Sequence, residues 1–185
     1  MPAFDQLTLS TPRLLLRPLQ LTDAPALHLI FADPRVTRYW STPAWDSIDS
    51  ALKMINKDLQ AMATGEHLRL GLQRIDDNAL IGMCTLFAFS MQSRRAEIGY
   101  ALAAEAWGRA YMDEALRALL RYGFDELGLN RIEADIDPRN EASARSLERL
   151  GFKKEGLLRE RWIVGDEISD TALYGLVQRD WRLRQ

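Results

Sequence analysis

The sequence holds one cysteine and two histidines in 185 residues. A lone Cys84 excludes an intrachain disulfide and reads as a small buried hydrophobe. His28 and His67 lie far apart, so no zinc motif is present and no metal is expected. Long apolar runs are also missing. The longest, Ala79 to Phe89, falls well short of the roughly 20 residues that a membrane-spanning helix needs. The start, Met1-Pro2-Ala3-Phe4-Asp5, lacks a basic stretch followed by an apolar core, so no secretory signal is expected. Neither sign of charge dominates, since 24 Lys and Arg against 26 Asp and Glu give a formal charge of −2. That balance supplies no drive toward nucleic acid or an anionic membrane. There is no repeat, low-complexity tract, linker or Gly-Lys-Ser/Thr phosphate loop. With 47% hydrophobic and 27% charged residues, the chain reads as one cytoplasmic globular domain over residues 1–185.

Periodicity then divides the chain. Leu7 to Leu19 reads as a strand. Thr22-Asp23-Ala24-Pro25 reads as a helix start capped by Thr22, with the helix running to Phe31. Asp33-Pro34 restarts a short turn or helix ending near Trp40. Ser47 caps a second long helix with an apolar face of Ile48, Leu52, Ile55, Leu59 and Met62, closed by Gly65. His67 to Ile75 and Ala79 to Ser90 read as strands joined by the loop Asp76-Asp77-Asn78. The near-continuous apolar character of Ala79–Phe89 suggests cover on both faces. Arg94 to Ala103 is the next strand, with Arg94-Arg95 a solvated end. Asp113 to Leu127 is the longest amphipathic helix, ended by Gly128. Arg131 to Asp137 alternates apolar and charged residues, the pattern of a half-buried strand. Asn140 to Leu150 is a short helix stopped by Gly151. Two last strands, about Phe152–Val164 and Ile168–Val177, flank Gly165-Asp166. The order predicts a mixed α/β domain with a partly antiparallel sheet.

Between the strand at Ala96–Leu102 and the long helix lies Trp107-Gly108-Arg109-Ala110-Tyr111-Met112. A glycine-containing turn that opens a helix presents unpaired N–H groups and the positive end of the helix dipole, a geometry that binds phosphate. Arg109 adds a cation that suits the same ligand. A plain strand-to-helix turn would read the same way.

Several stretches in this order resemble the GCN5-related N-acetyltransferases, and within them the branch of ribosomal-protein N-terminal acetyltransferases typified by RimJ and RimL. They are Thr11-Pro12-Arg13-Leu14-Leu15-Leu16-Arg17, Glu97-Ile98-Gly99-Tyr100, Trp107 to Tyr111, Glu114-Ala115, Asn140 with Ser143, Gly151-Phe152, Glu155-Gly156, and Asp170 with Tyr174. The resemblance spans roughly residues 10–181. It implies an α/β fold with a mixed, mostly antiparallel twisted sheet that is splayed in the middle, helices on both faces, and direct acetyl transfer from acetyl-CoA to a primary amine. It departs from the family pattern where Ala110 replaces a usual glycine and Met112 a usual glycine or alanine. An alanine leaves the backbone open to pyrophosphate provided its φ is negative.

The resemblance also implies roles. The backbone of Trp107, Gly108, Arg109, Ala110, Tyr111 and Met112 would cradle the pyrophosphate. The strand edge at Tyr100, Ala101 and Leu102 would bind the pantetheine arm, with a bulge at Gly99 and an N–H near Tyr100 or Ala101 for the oxyanion. Asn140 would bind the cofactor arm, although it also suits a plain helix cap. Ser143 would donate a proton to the departing thiolate or touch its sulfur. Glu97, on the gap strand, is the candidate general base, acting through water, or else an exposed strand carboxylate. Glu133 and Asp135 share a face that would attract a cationic acceptor or simply meet solvent. Trp40 and Trp45 either wall the acceptor pocket or pack. The acceptor is expected to be a protein N-terminus, the alternatives being a small-molecule amine (antibiotic, polyamine or amino acid) or a non-catalytic acyl-CoA-binding module. A monomer and a homodimer are both compatible with the sequence.

Overall fold

The computed structural model describes residues 2–184. Its centre is one eight-stranded sheet in the order β1-β2-β3-β4-β5-β6-β8-β7. The strands are β1 Leu9–Ser10, β2 Leu14–Pro18, β3 Leu68–Arg74, β4 Leu80–Ser90, β5 Arg95–Leu102, β6 Arg131–Ile136, β7 Lys153–Val164 and β8 Glu167–Val177. Every neighbouring pair is antiparallel except β5 with β6. The helices are α1 Ala24–Ala32, α2 Pro34–Thr37, α3 Ile48–Ala63, α4 Tyr111–Arg121, α5 Glu141–Leu150 and α6 Gln178–Arg182. Among the described residues, no helix is long and apolar enough to cross a membrane.

Two apolar clusters cover the two faces. Helices α1 and α3 bury Leu27, Phe31, Ala51 and Ile55 against Met83 and Ala101. Helix α4 buries Ala115, Leu116, Leu119 and Leu120 on the other face against Leu70, Leu86, Ile98 and Ile132. The central strand β4 is buried on both faces from Ile81 to Leu86, whereas its outer end at Phe87 and Ala88 is exposed. Burial pushes the Cys84 thiol up to about 12, as expected for a thiol surrounded by hydrocarbon.

Several boundaries differ from the sequence expectation. The first strand splits at Thr11–Arg13 into β1 and β2. Thr22 does not cap α1. It lies inside a 3-10 turn at Leu21–Asp23, and the Asp23 carboxylate reaches back to the Gln20 N–H at 2.7 Å. That carboxylate also takes a two-pronged bond from Arg17 at 2.7 and 2.8 Å. Ser47 does cap α3, accepting from the Asp49 N–H at 3.1 Å. The buried face of α3 is Ala51, Ile55, Asp58, Ala61 and Met62, while Ile48 and Leu59 are exposed. The stripe is rotated because Asp58 is drawn inward by Arg69, whose guanidinium contacts both its oxygens at 2.6 and 2.8 Å. Helix α4 starts two residues earlier than its apolar pattern and passes into a π turn at Tyr122–Glu126. The chain closes with α6, which the pattern did not predict and which buries Trp181. Arg95 is not simply solvated, since it pairs with Glu133 at 2.8 Å.

Candidate active site

The strands β5 and β6 pair only through Arg95–Arg131, Ala96–Ile132 and Glu97–Glu133. Beyond Glu97 they part, leaving Ile98–Leu102 without a partner on that side. The direction of the backbone groups follows from two bonds. Ala103 donates its N–H to Ile81 at 2.8 Å, and the Arg94 carbonyl accepts from Asn130 and Arg131 at 2.6 and 3.2 Å. Backbone groups alternate along a strand. Odd positions therefore face β4, and the even positions 98, 100 and 102 face the gap.

That alternation separates the three strand residues expected at the pantetheine arm. Tyr100 turns its N–H and C=O into the gap. Ala101 turns its own toward Met83 in the ladder with β4, a correction to the expected contact. The Leu102 carbonyl faces the gap and is taken by the Trp107 indole N–H at 2.9 Å, so the open groups centre on Tyr100. Gly99 also differs from expectation. The irregularity between β4 and β5 lies between Phe87 and Ser90, and Ala88 there has φ 51°. Gly99 pairs regularly with Thr85. A Cβ at Gly99 would lie 3.2 Å from Thr85 Cγ2, so the glycine relieves a close cross-strand approach.

The turn after β5 is open where an anion would sit. Trp107 spends its N–H on Ala104 at 3.2 Å. Among the described residues, the N–H groups from Gly108 to Asp113 have no acceptor. Gly108 has φ 73°, and Ala110 stands at φ 60°, ψ 14° as the residue capping α4. Left-handed residues at such a turn gather N–H groups into an anion-binding concavity at the helix start. The condition set on Ala110, a negative φ, is therefore not met. An L-residue in that region carries about 1–2 kcal/mol of strain, which a glycine would not. Met112 does not crowd the turn, since its side chain packs into the main core. Tyr111 is buried with it, whereas the side chains of Trp107, Arg109 and Ala110 are exposed.

At the other lip of the gap, Asn140 caps α5. Its Oδ1 accepts the Ser143 N–H at 3.1 Å, leaving its amide N–H groups to donate outward. The Tyr100 hydroxyl reaches the Ser143 carbonyl at 3.5 Å, and burial pushes that phenol up to about 12. The first turn of α5 thus sits over the exposed edge of β5.

Glu97, Glu133 and Asp135 share the opposite face, as strand alternation requires. Glu133 is neutralised by Arg95 at 2.8 Å and Arg131 at 2.7 Å. Asp135 accepts from Thr171 at 2.9 Å and from the Trp162 indole at 3.2 Å. Glu97 has no polar partner among the described residues. Burial, then the charges of Asp135 and Glu133, hold its carboxyl above the usual range. A carboxylate whose pKa is raised holds a proton more readily than an ordinary one. Behind the cleft, Arg139 bonds Asp137 at 2.6 Å and Glu167 at 2.7 Å, and lies 5.7 Å from the Tyr39 ring centre. These contacts tie the α2 segment to the loop before Asn140. Trp45 and Trp40 pack on Phe31, with ring centres at 4.5 and 4.9 Å.

A turn of free N–H groups at a helix start, beside a strand edge opened by splaying, is the arrangement that the resemblance implied. The family model "Acetyltransferase (GNAT) domain" matches residues 13–153. The chain belongs to the GNAT acetyltransferase family. The uncharacterized N-acetyltransferase YoaA of Bacillus subtilis (strain 168) is 37% identical over 92% of this chain and 96% of its own. The [ribosomal protein uS5]-alanine N-acetyltransferase of Escherichia coli (strain K12) is 29% identical over 94% and 92%. Among solved structures, a GNAT-family acetyltransferase from Bacillus anthracis superposes with a TM-score of 0.84 at 26% identity, over 94% and 99% of the two chains. The protein is thus an N-acetyltransferase of this family, on the RimJ/RimL-like side of it, and its splayed sheet is the family fold.

Glu97, the turn and Asn140 lie on the elements expected from the sequence, but the contacts that support them are not written in any local pattern. The partners of Asp135 come from strands 27 and 36 residues further along, beyond any local pattern. Arg13 and Glu114 lie within quoted motifs, yet nothing in their spacing joins residues 101 positions apart.

Proposed function

We propose that the enzyme moves the acetyl group of acetyl-CoA to the α-amine of a protein or peptide N-terminus. The observation that carries this is the lone unpaired carboxylate, Glu97, where β5 and β6 part. The free N–H groups of Gly108 to Met112 suit the pyrophosphate, the Tyr100 edge suits the pantetheine arm, and the Asn140 amide suits its carbonyls. When bound, the thioester supplies the activated acetyl carbon. The Tyr100 N–H, pointing into the gap, stabilises the oxyanion as the amine attacks. Ser143, on the first turn of α5, donates to the departing sulfur. A thiol of pKa near ~8.5 needs only modest help.

The acceptor follows from the cost of a neutral amine. An α-amine of pKa about 8 costs roughly 1.3 kcal/mol to deprotonate at pH 7, and a lysine of pKa about 10.4 costs roughly 4.6 kcal/mol. A single carboxylate, acting through water, matches the first far better than the second. With Glu133 and Asp135 already partnered, the cleft floor offers one free negative charge, which suits one ammonium group rather than a polyamine. The relative named as a ribosomal-protein alanine N-acetyltransferase agrees with this reading.

The test is a panel of acceptors with acetyl-CoA, read by mass spectrometry: peptides with a free N-terminus, N-terminally blocked lysine peptides, spermidine and an aminoglycoside. Acetylation is expected on the free α-amine. Faster transfer to spermidine, the aminoglycoside or the lysine side chain would overturn the acceptor class. Donor binding without transfer to any of them would favour a non-catalytic acyl-CoA-binding module.

A further inference from the structure

The phosphate-binding turn is held from outside by the loop between β1 and β2. Glu114 Oε1 accepts from the Thr11 hydroxyl at 2.6 Å and the Arg13 N–H at 2.8 Å, and Oε2 accepts from Arg13 Nε at 2.7 Å. Burial alone would raise this carboxyl. Thr11 and Arg13 outweigh it and hold Glu114 below its ordinary value. Fixed in this way, the Arg13 guanidinium lies 4.5 Å from the Tyr111 ring centre and donates through Nη1 to the Arg109 carbonyl at 3.0 Å.

That last bond acts on the peptide that matters. In a trans peptide the C=O and the following N–H point in opposite directions. With the Arg109 carbonyl drawn toward Arg13, the Ala110 N–H points the other way, into the concavity at the start of α4. The same peptide plane sets φ of Ala110, which stands at 60°. Rotating the plane would release the alanine from the left-handed region and carry its N–H out of the cradle. The turn therefore has a relaxed alternative that does not present this donor.

We propose that Arg13, buttressed by Glu114, is a positioning residue that locks the Arg109–Ala110 peptide in its donor-binding orientation. This rests on the reading of the turn as the pyrophosphate cradle. The role is orientation by a forked, stacked guanidinium, which a lysine cannot reproduce.

The experiment compares the Kd for acetyl-CoA, by calorimetry, with the KM for S-acetylpantetheine, a donor without the pyrophosphate. If removing Arg13 leaves about a tenth of the molecules with the peptide correctly set, the apparent Kd rises about tenfold. The expected result is that loss for both Arg13→Ala and Arg13→Lys, with the KM for S-acetylpantetheine unchanged. Ala110→Gly added to Arg13→Ala is expected to recover most of the affinity, because glycine holds the left-handed conformation without strain. Glu114→Gln serves as a second route to the same loosening. The inference is overturned if Arg13→Ala binds like wild type, if Arg13→Lys restores binding, or if both donors weaken equally. Failure of wild type itself to bind acetyl-CoA would refute the cradle, a result distinct from any of these.

Discussion

Glu97→Gln is expected to lower kcat by roughly 10²–10³-fold while leaving the Kd for acetyl-CoA unchanged, the usual scale for losing a general base. Glutamine keeps the size and position of the side chain and removes only its ability to take a proton. The pH profile supplies the sharper signature. A base works in its ionised form, so activity falls as pH drops through its pKa, which here lies above the usual carboxylate range. The acceptor amine must also be neutral, so below both pKa values log(kcat/KM) should fall with a slope of two in the wild type. In Glu97→Gln only the amine remains, and the slope becomes one. Steady-state rates followed from pH 9 down through the whole acid limb distinguish the two. Equal slopes and equal kcat would show that Glu97 is an ordinary strand carboxylate.

Trp181→Ala is expected to produce the largest loss of stability of any single change outside the site. The indole is 1% exposed and its ring centre lies 5.9 Å from that of Phe124, itself 1% exposed. Truncating a buried aromatic to alanine costs about 3–5 kcal/mol through lost transfer energy and the cavity left behind. For a chain of this size that corresponds to a fall in Tm of roughly 6–20 °C. Helix α6 has five residues and no side-chain cap; Trp181 is its buried apolar anchor, beside the Gln178 bond to the Phe124 carbonyl and the Lys153–Asp180 ion pair. Thermal unfolding checks it, and a fall below 2 °C would mean that α6 does not stabilise the sheet.

Why α6 was invisible in the sequence is part of the same point. Five residues span too few turns for a helical period to emerge, and one tryptophan makes no stripe. Longer elements were legible because burial wrote a period into them. The alternation of Ile132, Ala134 and Ile136 against Glu133 and Asp135 marked β6, and the apolar run of β4 marked the strand buried on both faces. The α3 stripe was misjudged because a buried ion pair, Asp58 with Arg69, occupies a position that hydrophobic counting assigns to solvent. Within the site, chemistry-bearing residues could be placed on strands and helix starts. The backbone could not be read so closely. Whether Ala101 or Tyr100 faces the gap depends on the register with β4, and the left-handed turn at Ala110 depends on Arg13, held from 96 residues away. Both are set by tertiary contacts that local sequence does not encode.

The central claim is that the turn at Trp107–Met112 and the open edge of β5 together form a donor site. A calorimetric titration of the wild-type protein with acetyl-CoA, backed by thermal unfolding, tests it most directly. The account predicts saturable binding of one donor per chain. At about 100 times the dissociation constant it predicts about 2.7 kcal/mol of added stability, a rise in Tm of roughly 5–10 °C. No heat and no shift at millimolar acetyl-CoA would contradict it.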